Sequence, residues 1–593
     1  MGRKCVAAFS FIVMSMISDA QSAEDIDRIL SLCGYDSPEE LDEYEVERLH
    51  AYLERPFKIN LASVSSMRSC GIFSPFQTAS LLDYRSRHGD IMSLQELSSI
   101  DGFTEDIARR IAPFISLDGG SLHSYRSGFS PVSVDIASRG GARFADGAVS
   151  GGYALKGRID AGDALSVSVS SSYPYSEMFN LPEVYSGCID FKPRRIPLRL
   201  IAGDFNARFG QGLALWNGMS MTGLQKVSSF FMRTSGLSSS WSFTGSSAHT
   251  GLACEYSFSR FRLSAFASFP QLKKDGFKAV DVLPAANLCW HGRNASVSVT
   301  HYQELVQAYQ EHIAYIKDMK TSADVSMCLD GVDLFAESAY DWVNSAVASL
   351  AGVIFPLAED VSMAMHARYY PSSFNPSRSS APRSVSKCSN EAGLSLACDY
   401  APFSRMFKGA LCLDASYLPA SKVPETESIQ VKVSADGDIS ISERSTLKLK
   451  LSHRSRTWGR RFRTEARADF LWNKSEFSAS ARIDLLHCVS LGFLGYIEVG
   501  YKTRTLYLYM KQSVFIVDNW DDRIYAYERD IPGNFSVPAF YGRGLASSMI
   551  LSWKFSRWGR LYLKGSLSSY PFMDGQKKKP GRAELKLQLA FSF

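Results

Sequence analysis

Residues 582–593, RAELKLQLAFSF, decide the fold of this chain. Every second residue is apolar, from Leu585 to Phe593, and the residues between them are polar or small, from Glu584 to Ser592. This two-residue period is typical of a β-strand with one apolar and one polar face. A tilted strand of about ten residues is long enough to cross a membrane as part of a β-barrel, with one face toward lipid and the other toward the lumen.

The same alternation recurs along the chain from about residue 131, for example at 165–170, 447–452 and 551–556. Because a barrel with both ends in the periplasm needs an even number of strands, we expect about 22 to 26. The sequence therefore predicts a mainly β fold, a large transmembrane antiparallel β-barrel at 131–593. The alternative is a soluble all-β protein with half-buried sheets, since alternation fits both classes.

The first residues, 1–23, are typical of a signal peptide. Arg3 and Lys4 precede an apolar segment, 5–17, which is too short to span a bilayer as a helix and is followed by small residues suited to cleavage. Beyond this segment no apolar run approaches the roughly 18 residues of a transmembrane helix. Together with the C-terminal Phe593, which resembles the recognition signal of bacterial outer-membrane barrels, this predicts an outer-membrane protein.

Charge and cysteine usage divide the chain further. Residues 24–117 carry 17 acidic and 9 basic residues, a net −8, whereas 118–593 carry about +12, which indicates different environments or partners.

Ten cysteines remain once Cys5 leaves with the signal, and they show no CxxC or zinc spacing. We expect small apolar side chains on sheet faces, and disulfide pairing in an oxidising periplasm stays open.

Residues 24–117 carry helix-start signals in place of strand alternation. A capping serine precedes proline, glutamate or glutamine at 37–40, 74–77 and 93–96, and Thr104 precedes acidic residues that favour a helix N-terminus. We expect a small all-α domain here, joined to the barrel by a linker at 118–130.

Residues 58–117 of that domain contain a set of short motifs, namely Ile59-Asn60-Leu61-Ala62-Ser63, Leu82-x-Tyr84-Arg85, His88-Gly89, Leu97, Asp101-Gly102-Phe103 and Pro113-Phe114. With these motifs the segment resembles a tandem helix-hairpin-helix domain of competence-type DNA-binding proteins. In DNA-binding relatives, Gly-x-Gly turns approach phosphate oxygens, so the resemblance implies Gly71 and Gly102 as hairpin-turn candidates.

Two features disfavour DNA binding: both turns lack the second glycine, and residues 58–117 carry as many acidic as basic residues, six of each. We therefore expect a domain that binds a periplasmic protein or packs against the barrel mouth. DNA binding or DNA uptake is the alternative.

The whole architecture resembles a family of outer-membrane proteins from Bacteroidetes, with a signal, a helix-hairpin-helix domain and a long β region. The polar stretches 203–213, 518–528 and 540–544 support it. The resemblance implies an outer-membrane barrel in contact with lipid and a periplasmic N-terminal domain, and it carries no settled activity.

These stretches also supply the candidate functional residues, since charged side chains beside glycines fit a lumen wall but are costly in lipid. The candidates are Arg208, Gln211, Asp521, Arg523 and Arg543. They are interpreted either as a polar network that plugs or stiffens the barrel, or as a solute-binding constriction. Inward-facing lysines, namely Lys448, Lys450, Lys564 and Lys586, would favour anions in an open channel.

Catalytic and metal-binding motifs are missing from the sequence. There is no HExxH, GxSxG or Walker A pattern, and the ten histidines show no metal spacing. We expect no enzyme, no cofactor and no metal, and an outer-membrane barrel acting as a channel or an assembly factor. The sequence leaves open whether the lumen is open or plugged.

Overall fold

The computed structural model describes residues 23–117 and 132–593. Short gaps lie at 34–37, 42, 55, 61, 63–66, 68–69, 74, 146, 163, 178–180, 194–195, 219–225, 242, 244–247, 270–278, 293, 309–312, 330, 359, 403–405, 424–425, 460–461 and 573–579. The predicted signal peptide, apart from Ala23, and the predicted linker at 118–130 lie outside the described residues.

The N-terminal part is a small helical domain, residues 23–117. Its helices are α1 Ala23–Cys33, α2 Glu43–Glu54, α3 Pro75–His88, α4 Leu94–Ser98 and α5 Glu105–Ile111. Ser93 and Thr104 cap α4 and α5 by accepting backbone N–H groups of Glu96 and Ile107, as the sequence predicts. Two short parallel strands, Phe57–Lys58 and Ile115–Ser116, pair with each other before α3 and after α5.

One predicted helix start has a different form. Pro38–Glu40 is a single 3-10 turn, closed by the Leu41 N–H to the Pro38 carbonyl over 3.1 Å, and the next helix begins only at Glu43. The short turn leaves Glu39 at a corner of the domain rather than on a helix flank.

Twenty-four strands in the described part of the chain form one closed antiparallel barrel. They are β1 Val132–Ala145, β2 Ala148–Ala161, β3 Leu165–Ser176, β4 Val184–Phe191, β5 Leu198–Arg208, β6 His249–Phe258, β7 Phe261–Ser268, β8 Ala279–His291, β9 Ala295–Ala308, β10 Ile313–Leu329, β11 Val332–Asp341, β12 Ala346–Ala358, β13 Val361–Tyr370, β14 Glu391–Tyr400, β15 Phe407–Val423, β16 Thr426–Ser442, β17 Ser445–Arg456, β18 Phe462–Lys474, β19 Phe477–His487, β20 Leu491–Lys502, β21 Leu506–Val517, β22 Gly542–Lys554, β23 Gly559–Ser569 and β24 Arg582–Ser592. The predicted β-barrel and its even strand number are confirmed.

The barrel closes where its last strand meets its first. β24 pairs antiparallel with β1 from Arg582 opposite Ala145 to Ser592 opposite Asp135. The Phe593 N–H continues this ladder to the Val134 carbonyl over 2.9 Å. Complete pairing leaves no sheet edge, which a wall in lipid requires because lipid offers no hydrogen bonds.

Side chains alternate across the wall as the sequence predicts. On β24, Leu585 and Leu587 are 49% and 43% exposed on the outer face, whereas Lys586 and Gln588 are buried on the inner face. The same exposed apolar band continues on other strands, for example at Leu451 and Ile497. A continuous apolar outer surface is typical of a wall that contacts hydrocarbon.

The two ends of the barrel differ in their connections. Both termini of the wall and short turns such as 258–261, 329–332 and 442–445 lie at one end, the short-turn end. The longest connections, 209–248, 371–390 and 518–541, lie at the opposite, long-loop end. A short strand at Gly236–Ser239 within the first of these loops pairs with the end of β5.

The described cysteines from Cys33 to Cys488 are all free thiols, most of them buried on the wall or in the helical core. The expectation of small apolar side chains fits these positions. In the described residues, no helix is long and apolar enough to cross a membrane.

Candidate functional site

The lumen holds the functional candidates, because three loops and the helical domain contact its inward-facing side chains. The first loop, 209–248, carries the Gly210-Gln211-Gly212 turn, in which both glycines have positive φ. The Gln211 and Leu213 N–H groups donate to Glu337 Oε2 on β11, over 2.7 and 3.0 Å. The turn thus supplies two backbone hydrogen-bond donors to a wall carboxyl group that is buried from water.

Two predicted site residues lie in this region and are almost fully buried. Arg208 stands beside Trp216, with its guanidinium carbon 5.3 Å from the ring centroid. The Gln211 side chain accepts the Met232 N–H over 3.0 Å. Both side chains therefore hold the loop against itself and the wall.

The second loop, 371–390, packs on the first loop and on the same sector of the wall. Arg378 reaches Glu304 of β9 at 3.1 Å, and the Asn375 N–H donates to Asp341 of β11 over 3.0 Å. Ser380 joins the two loops, since its N–H donates to the Gly212 carbonyl over 2.8 Å. Loop residues such as Phe230 and Phe374 share one buried apolar cluster with wall residues such as Phe335.

The third loop, 518–541, neutralises two of the predicted inward lysines. Asp530 lies 3.0 Å from Lys564 and 2.8 Å from Lys586, and Glu528 lies 2.8 Å from Lys564. Burial by itself would raise the pKa of Asp530, but the two ammonium groups hold that pKa below its ordinary value. These lysines therefore act as anchors for the loop rather than as free lumen charges.

The other three predicted site residues lie at the edge of this third loop. Arg543 pairs with Asp518 over 2.6 Å, and both side chains are about half exposed. The Arg523 guanidinium stacks on Trp520 at 4.6 Å and donates to the Tyr525 hydroxyl over 2.8 Å, while Asp521 is half-buried in the 3-10 turn. The contacts described place these three apart from Arg208 and Gln211.

The neighbouring Asp522 is the buried carboxylate of this stretch. It accepts the N–H groups of Cys488, Val489 and Ser490 over 2.7 to 2.9 Å, together with the Ser490 hydroxyl. These donors hold the pKa of Asp522 below its ordinary value despite burial. Asp522 thus fastens the third loop to the β19–β20 turn.

Glu39 of the helical domain contacts charged side chains inside the lumen. Its Oε1 accepts Arg482 Nη1 of β19 over 2.7 Å and the Tyr527 N–H of the third loop over 2.7 Å. Its Oε2 lies 3.4 Å from Arg467 Nη1 of β18. Burial alone would raise the pKa of Glu39, but the two arginines and the Tyr527 N–H lower it far below its ordinary value.

The domain also touches a distant sector of the wall. Helix α3 packs on β9 and β10, which are about nine strands away from the arginines that hold Glu39. Between the domain and this sector lies a cavity of about 300 Å³, lined by Phe73 and Ile107 of the domain, Arg233 of the first loop and Arg262 of the wall. The domain therefore spans the lumen instead of hanging below it.

The hairpin-turn candidates face inward to the domain. Gly71 and Gly102 both have positive φ, 70° and 86°. A side-chain carbon at Gly71 would lie 2.3 Å from the Arg48 guanidinium, so an intramolecular cation already covers this turn. The Gly102 carbonyl accepts Gln77 Nε2 over 2.9 Å.

Sequence reasoning did not single out Glu39, Arg467, Arg482 or Glu337 as site residues. The opposite net charges of residues 24–117 and 118–593 were the available signal, because complementary charge predicts that the two parts bind each other as well as other partners. Among the described residues, no group of three or more histidine, cysteine, aspartate or glutamate side chains could hold a metal ion.

Comparison with known proteins gives structural neighbours only. No protein-family model matches the chain, and no curated protein matches its sequence. Among solved structures, the chain is similar to an E. coli P pilus tip assembly intermediate, PapC-PapD-PapK-PapG, with 10% identity and a TM-score of 0.47 over 78% of this chain and 61% of that one.

Two further barrels have lower scores. The P pilus usher (PapC) translocation pore has 9% identity and a TM-score of 0.37, covering 78% of this chain and 99% of that one. The copper transporter OprC has 7% identity and a TM-score of 0.39, covering 79% and 82%. Similarities at this level concern the barrel alone.

Proposed function

We propose that the protein is an outer-membrane channel that its own helical domain holds closed. The apolar outer face supports a place in lipid, and outer-membrane barrels carry short turns on the periplasmic side. The short-turn end and the helical domain would then face the periplasm.

The burial of Glu39 between Arg467 and Arg482 carries this proposal. A buried carboxylate is tolerated only while its partners are in place, and Glu39 is the carboxylate that both arginines share. The contact therefore favours one docked position of the domain, in which the lumen is occupied. Release of the domain would expose two wall arginines and vacate the part of the lumen beside β18 and β19.

Single-channel recording in planar bilayers tests the closed state. The purified full chain should conduct rarely, and Glu39→Ala should conduct far more often, because loss of one partner of a buried ion pair costs about 3 kcal/mol, or about 100-fold in population. Glu105→Ala is the matched control, since Glu105 of the same domain is 78% exposed in a surface ion pair with Arg109. Equal conductance of all three proteins would reject a helical gate.

The resemblance to helix-hairpin-helix domains, the periplasmic protein partner of residues 24–117 and the nucleic-acid alternative stay predictions. A partner that captured the helical domain would open the channel under this proposal, which joins the channel and interaction hypotheses. The Arg48 guanidinium fills the space beside Gly71, so a phosphate could reach the backbone of that turn only if this side chain moved. The expectation that the protein is not an enzyme belongs to the same proposal.

A further inference from the structure

Three basic residues form one row across neighbouring strands on the lumen wall. Lys432 of β16 lies directly opposite Arg454 of β17, and Arg454 lies directly opposite Arg463 of β18. All three side chains are half-buried, as is Arg456 two residues further along β17. We name Lys432, Arg454 and Arg463 the basic row.

The rows nearer the short-turn end are balanced by acids. Lys450 lies opposite Asp436, and Lys448 lies opposite Asp438 on one side and Asp469 on the other. Arg467, in the Lys450 row, has carboxylate partners in Glu39, Glu465 and Asp484. The basic row therefore differs from the wall around it.

The acid at the end of the basic row is already engaged. Asp414 of β15 lies opposite Lys432, but it accepts Arg368 over 2.8 Å and the hydroxyls of Ser384 and Ser395. Arg454 Nε is shielded from water and has no hydrogen-bond partner. In the residues that the structure describes, the side chains of Lys432, Arg454 and Arg463 make no hydrogen bond or ion pair.

Such a row is costly without a ligand, because like charges directly opposite on adjacent strands destabilise a sheet. It lies at the long-loop end, since Arg454 is two residues from the end of β17. An incoming solute would therefore meet this row before it meets the Glu39 contact.

We propose that the basic row binds a solute carrying several anionic groups. Adjacent strands lie about 5 Å apart, so the three positive groups are spaced at about that distance along the row. The guanidinium group of arginine can donate two parallel hydrogen bonds to phosphate, sulfate or carboxylate oxygens. The role of the row in ion selectivity rests on the proposed channel function. Anion binding to the row does not, because it requires no opening of the lumen.

Calorimetric titration of the intact detergent-solubilised chain tests the binding. At low ionic strength, sodium tripolyphosphate should bind at least about tenfold more tightly than orthophosphate at matched ionic strength, because it contacts more than one row member. A trisulfated disaccharide extends the test to sulfate, and binding of either multivalent probe supports the row. Failure of both to exceed orthophosphate would overturn the proposal.

Matched triple variants assign the site. K432Q/R454Q/R463Q should weaken tripolyphosphate binding about tenfold or more, whereas K408Q/K448Q/K450Q, which removes three charges that face aspartates in the same sector, should leave it within about threefold. Equal losses would reduce the effect to net charge and overturn the assignment. The single variant R454Q removes a like-charge contact and should therefore fold. If the triple variant does not fold, weaker tripolyphosphate binding by R454Q assigns the site instead.

Reversal potentials separate this inference from the gate. In the Glu39→Ala channel, the basic row predicts preference for chloride over potassium that R454Q reduces. If Glu39→Ala stays closed while tripolyphosphate binds, the gate fails and the anion site stands. If it conducts without anion preference and the probes do not bind, the anion site fails alone.

Discussion

Glu39 Oε1 lies 2.7 Å from Arg482 Nη1, although 443 residues separate the two along the chain. The pair joins a corner of the helical domain to the middle of the barrel wall. Through this pair the domain contributes a negative charge to the lumen. A substitution at Glu39 alone can therefore disturb the docking of the domain.

Loss of the Glu39 carboxylate should release the helical domain without unfolding the barrel. Glu39→Gln keeps the side chain's shape but leaves Arg467 and Arg482 without their shared charge, which costs about 3 kcal/mol or more. Limited proteolysis should then cleave within residues 23–117 faster, while the barrel resists. Glu105→Gln should cleave at the wild-type rate, and unchanged cleavage of Glu39→Gln would contradict the docking role.

Acidification should leave the domain docked over a wide range. The pKa of Glu39 in the folded protein lies far below its ordinary value of 4.5, so its contribution is present above 4.5 and is lost only as pH falls through the depressed value. Conductance measured from pH 7.5 to about 5 should therefore stay low. Opening within that range would mean that another titrating group controls the gate.

Gly210→Ala should loosen the first loop from the wall. The added carbon would lie 2.7 Å from the Glu337 carboxyl carbon, and φ at this residue is +60°. Gly147→Ala separates the two causes, since Gly147 has φ +76° but no atom within 4 Å of the added carbon. Both should lose about 1 kcal/mol from backbone strain, and only Gly210→Ala should lose more in thermal unfolding. Equal losses would show that contact with Glu337 adds nothing.

Asp530→Asn should destabilise the third loop, because Lys564 and Lys586 would share a buried site without their common carboxylate. We expect a loss of about 3 kcal/mol, seen as a lower unfolding temperature at neutral pH. The half-exposed pair gives the control, since Asp518→Asn should change stability by less than about 1 kcal/mol. A stable Asp530→Asn protein would place the loop's anchoring elsewhere.

The wall could be predicted from the sequence because its rule is local. The alternation in 582–593 places Leu585 outside and Lys586 inside regardless of which strands lie beside it. The strand number followed within a narrow range because closure requires an even count. The capping residues Ser93 and Thr104 were predictable for the same reason, since a cap involves only a few neighbouring residues.

The contents of the lumen could not be predicted, because each contact joins residues far apart in sequence. Asp521 and Asp522 are chemically identical in the sequence, yet only Asp522 is fully buried among three backbone donors. Lys564 and Lys586 were placed on the correct face, but their neutralisation depends on Glu528 and Asp530, which lie more than 30 residues away from the nearer of them. Periodicity assigns faces and leaves their partners undetermined.

The pairing of β24 with β1 has a consequence for the synthesis of this protein. Because β1 gains its second neighbour only when the eleven residues of β24 are in place, a barrel without β24 would expose two unpaired strand edges, which invite aggregation. The ring is therefore all-or-nothing. Every strand, β24 included, has to be in place before the wall can face lipid without an unpaired edge.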